Sequence, residues 1–69
     1  MSSNLAQFNE DYEQIIRSPV GEARERALSN LMMQMEQKYR IPAVRSVEWE
    51  RENPAVIAMY RKIAASRSL

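Results

Sequence analysis

The sequence predicts an all-α fold: a small three-helix bundle in which a long central helix B is flanked by shorter helices A and C, with a short helical turn before the last helix. Three observations carry this. Apolar residues recur at spacings of three and four. β-branched residues are few and never alternate with polar ones over the length of a strand. The chain has one glycine and no threonine, so neither hairpin turns nor strands are well supplied. With 69 residues, 1–69 forms a single domain.

Helix A is expected over about residues 4–17. Asn4 and Gln7 have the spacing of a capping box. Leu5, Phe8, Tyr12, Ile15 and Ile16 fall on one face, and Glu13 can pair with Arg17 on the other. Pro19 disfavours helical geometry at Ser18 and should end the helix near Arg17. Helix B is expected over about residues 19–40, with Ser18 as its cap and Pro19 in its first position, where a missing N–H costs nothing. Gly21 would allow helix A to approach closely, and Glu22–Arg26 and Glu36–Arg40 have favourable i,i+4 order. Pro42 should push Ile41 out of the helix. The apolar connection 41–46 is expected to lie against the core. Ser46 then caps a turn over residues 47–52. Asn53 and Pro54 repeat the cap-and-proline start for helix C, about residues 54–65, whose stripe is Val56, Ile57, Tyr60, Ile63 and Ala64. The tail after it is expected to fray.

Helix B carries the functional expectation. Leu28, Leu31, Met35 and Tyr39 define one seam, Met32 flanks it, and Met33 points away from much of it. That arc is wider than a surface helix normally shows. Two readings compete: helices A and C cover it from either side, or, both being shorter than helix B, they leave part of it bare for a second chain to cover. Methionine is flexible and polarizable, which suits an adaptable contact. The expected interface is Leu28, Met32, Met33, Met35 and Tyr39. Trp49 is read first as a lid on the core and second as an anchor for the partner. A two-fold homodimer is the commonest form of such a contact. Small domains also need a staple, and oligomerisation is the one open here.

Composition excludes more than it selects. The chain has no cysteine and no histidine, so disulfides, thiolate metal sites and histidine-based catalysis are outside its chemistry. Its single glycine cannot form a phosphate-cradling loop. The carboxylate groups Glu10/Asp11/Glu13 and Glu48/Glu50/Glu52 could hold a cation or do acid–base work, but they read as solvated helix faces. The sequence therefore predicts a non-enzyme without cofactor or metal. The N-terminus lacks the basic-then-apolar pattern of a signal peptide, and no apolar run reaches membrane-spanning length, so a cytoplasmic location without membrane contact is expected.

Net charge is +1, yet it is polarised. Residues 1–22 carry Glu10, Asp11, Glu13 and Glu22 against Arg17, while residues 53–69 carry Arg61, Lys62 and Arg67 and no acid. Those three cations support the alternative function, a small nucleic-acid-binding regulator. The primary reading is an intracellular protein-interaction module that self-associates and regulates a larger protein.

Overall fold

A computed structural model describes residues 5–67. The cap expected at Asn4, and Ser68 and Leu69 of the tail, lie outside the described residues. Among the described residues the fold is all-α, with helices α1 (Leu5–Ile16), α2 (Glu22–Tyr39), α3 (Val47–Glu52) and α4 (Pro54–Ala65).

The core is built from the helical spacings. Phe8 and Tyr12 of α1, Leu28, Leu31 and Met35 of α2, and Val56, Met59 and Ile63 of α4 form one buried cluster. The α2 and α4 triplets share the i, i+3, i+7 spacing that keeps side chains on a single face. Leu28, Met35 and Ile63 are fully enclosed.

Long-range contacts fix the directions. The Phe8 and Tyr39 rings meet with centroids 5.8 Å apart, and Ser18 lines the same concavity as Ala27. α1 and α2 are therefore antiparallel. Tyr60 donates a hydrogen bond to Glu36, and Arg67 reaches Glu25 at 3.9 Å, so α4 also runs antiparallel to α2. Tyr12 and Ser66 share a 2.5 Å hydrogen bond, which ties α4 to α1 as well. Helix α4 thus lies in the trough of the α1/α2 pair. The molecule is a slab of 36 × 30 × 16 Å, whose thin dimension fits two helical layers.

The helix ends depart from the expectations in instructive ways. Ser18 does not cap α2. Its hydroxyl and its N–H both donate to the Ile15 carbonyl, at 2.8 and 3.0 Å, and so close α1. Helix α2 starts only at Glu22, after an exposed Pro19-Val20-Gly21 corner. Gly21 precedes it with extended backbone and no side-chain cap, and nothing lies within 4 Å of where its Cβ would be, so it mediates no close approach. At the other end Arg40 adopts the left-handed conformation, φ 56° and ψ 48°, and the Ile41 N–H returns to the Glu36 carbonyl. This is a Schellman-type ending without the usual glycine.

Ser46 caps α3 as expected, accepting from the Trp49 N–H at 3.2 Å. Pro54 opens α4 as expected, but Asn53 turns its amide back to donate to the Trp49 carbonyl at 2.9 Å. It closes α3 instead of capping α4. The connection before α3 lies against the core at Ile41; Pro42 is half-buried, and Ala43, Val44 and Arg45 are exposed. Ser66 and Arg67 do not fray: both are held by the contacts to Tyr12 and Glu25.

Candidate protein-interaction surface

The expected interface must be redrawn. Leu28 and Met35 are 0% exposed, because α1 and α4 close over the α2 seam together. Neither can present anything to a partner while the subunit is folded. Met32, Tyr39 and Trp49 are half-buried and packed against the same core. Tyr39 stacks at an angle on Phe8, and the Met32 sulfur accepts a long contact of 3.9 Å from Arg67. Only Met33, 51% exposed, faces solvent. Helix length does not set the apolar surface left bare. The last turn of α2 carries Glu36, Gln37 and Lys38, which need no cover, and its Tyr39 packs on Phe8 of α1.

The three cations of the nucleic-acid alternative do not form a stripe. Arg61 pairs with Glu50 at 2.7 Å. Lys62 lies over the Tyr12 ring, 5.1 Å from its centre. Arg67 turns toward Glu25 and Met32. Each is engaged by a different element, α3, α1 and α2 respectively. Among the described residues no three carboxylates gather as a cation site, and no helix is long and apolar enough to cross a membrane.

Three concavities among the described residues bear on docking. One, of about 530 Å³, lies between the α2–α3 connection and α4, lined by Ile41, Pro42, Arg45, Glu50, Tyr60 and Arg61 among others. Its polar groups already satisfy one another. Glu50 takes both Arg45, at 3.4 Å, and Arg61. Tyr60 donates to Glu36, and burial, followed by that carboxylate's hydrogen bond and charge, pushes the phenol up to about 12, against a smaller lowering by Arg67. This junction welds α3 and the connection to α4.

The other two concavities adjoin. One, of about 470 Å³, runs between α1 and α2 and includes Ile15, Leu31, Asn30 and Gln34. The second, of about 330 Å³, lies at the α1–α2 corner and includes Val20, Ala23 and Arg24. They share Ser18 and Ala27. No α3 or α4 residue lines either one, so among the described residues this groove is open on the side of the α1/α2 pair away from α4. Its floor is apolar and its α2 wall is built from small and amide side chains, Ala23, Ala27, Asn30 and Gln34, at helical spacings of four, three and four. Among the described residues no side chain takes up the amides of Gln14, Asn30 or Gln34, which are left to solvent. Val20, 73% exposed, stands at one end. The sequence held a signal for this face: a second stripe on α2 that carries almost no charge.

Comparison with models of protein families, with curated proteins and with solved structures finds no match to this chain.

Proposed function

We propose that this chain is a non-catalytic protein-interaction module that docks through the open face of the α1/α2 pair. One observation carries the reading. The amides of Gln14, Asn30 and Gln34 line the α1/α2 groove with no side-chain partner among the described residues, and apolar Ile15, Ala27 and Val20 lie along it. A surface of small residues flanked by uncharged amides lets a partner helix approach closely and then hydrogen-bond along its rim. A cytoplasmic setting, where thiols are not needed for cross-linking, agrees with the lack of cysteine.

The test is site-specific photo-crosslinking in the native host. A photoreactive side chain at Asn30 should give a discrete protein adduct. The same group at Ala65, on the exposed side of α4, should give none. Adducts from both positions alike, or from neither, would overturn the reading.

A further inference from the structure

The open groove is self-complementary, and we infer that its occupant is a second copy of this chain, laid antiparallel across it about a two-fold axis beside Asn30. The inference rests on the reading of this face as a docking surface.

The register follows from residues along the groove. Ala27 and Gln34 lie on either side of Asn30 on the same stripe of α2. Antiparallel pairing sets each Ala27 opposite Gln34 of the partner subunit, so the longest side chain of the stripe meets one of its smallest. Asn30 lies on the axis and meets the partner subunit's Asn30, amide to amide, each offering both a donor and an acceptor.

The charges agree with the same register. Asp11 lies at the Gln34 end of the groove and Arg24 at the corner end. Reversal brings Asp11 of each copy to the partner subunit's Arg24. Glu22, also at the corner, falls opposite the partner subunit's Lys38, which is one turn beyond Gln34 on the same stripe. Parallel docking of α2 on α2 would instead set Arg24 against Arg24 of the partner subunit. Neither Asp11 nor Arg24 is committed to the other within one subunit: Asp11 accepts from Gln7 at 3.1 Å, and Arg24 makes only a 3.5 Å contact to the Ser18 carbonyl.

Size agrees too. A stable interface takes about 800 Å² from each partner. The broad face of a slab 36 × 30 Å across accommodates that area. Pairing two such slabs through their α1/α2 layers creates a four-helix layer at the dimer centre, with α4 outside on each side.

The test is sedimentation velocity on the full chain over a hundredfold concentration range, with four proteins: the parent, Asp11→Arg, Arg24→Asp and the double swap. The parent should pass from monomer to dimer. Each single swap should weaken association about tenfold by placing like charges together, and the double swap should restore it to within about threefold of the parent. Helical circular dichroism on each protein confirms that a loss is not unfolding. A parent that stays monomeric overturns the second copy as occupant. So does a dimer indifferent to the single swaps, or one that the double swap fails to restore. A monomeric parent together with an Asn30 adduct to a different protein would reject self-docking while leaving the interaction module intact; a monomeric parent with no adduct would reject both.

Discussion

Arg40 holds a backbone conformation that costs an L-residue about 1–2 kcal/mol and glycine almost nothing. Its N–H and that of Ile41 must both turn back to the Glu36 carbonyl to finish α2, and this fixes the left-handed bend. Arg40→Gly should therefore raise stability by about 1 kcal/mol, seen as a higher urea midpoint with an unchanged slope. Gly21 is the converse case. Its backbone is extended, the space around it is empty, and α2 begins without a side-chain cap. Gly21→Ser should add a cap and restrict the unfolded chain, for a gain of about 0.5–1 kcal/mol in the same assay. Tyr60 bears on alkaline stability. Its phenol is pushed up to about 12, above the ordinary value of an unfolded tyrosine, so the folded chain holds that proton more tightly. The resulting stability is complete below about pH 10 and is lost as pH climbs toward 12. Tyr60→Phe should flatten that alkaline decline, measured as thermal stability against pH between about 10 and 12.

At the scale of the helix, the two sides of α2 have different duties. Met35 is fully enclosed, so Met35→Ala should cost about 2–5 kcal/mol and bring so small a domain close to unfolding. Met33 lies two residues away, half exposed, and Met33→Glu should change subunit stability by no more than about 0.5 kcal/mol. Thermal denaturation of the two variants at one concentration tests this contrast. Periodicity alone made the seam legible: Leu28, Leu31 and Met35 are where spacing places them. What covers the seam does not follow from spacing. Tyr12–Ser66 and Arg67–Glu25 bring the end of α4 across both other helices, and contacts of such long sequence separation leave no local pattern to read. The helix boundaries were harder for a related reason. Ser18 and Asn53 each stand between two helices and can serve either, and in both cases the hydrogen bond goes backward to the helix just completed. The candidate groove was half legible. Ala23, Ala27, Asn30 and Gln34 form a stripe in the sequence, but that this stripe faces away from α4 emerges only from the packing.

The molecule is a two-layer slab in which the inner face of α4 is committed to the core. The Glu50 junction with Arg45 and Arg61 fixes the connection and α3, and the Arg67 contacts fix the end of α4. The outer side of the α1/α2 layer is the proposed docking face. If that side pairs two copies, mass action makes the melting temperature rise with protein concentration, and the rise should vanish in Arg24→Asp. The exposed Val44 and Val47, 79% and 60% open, sit on the opposite junction and should be spectators. The most direct measurement is a dilution series of amide NMR spectra on the parent chain. Association through the open face predicts concentration-dependent shifts at residues 11–18 and 23–34, with α3 and α4 constant. Shifts centred on Val44, Val47 and α3, or none at any concentration, would contradict it.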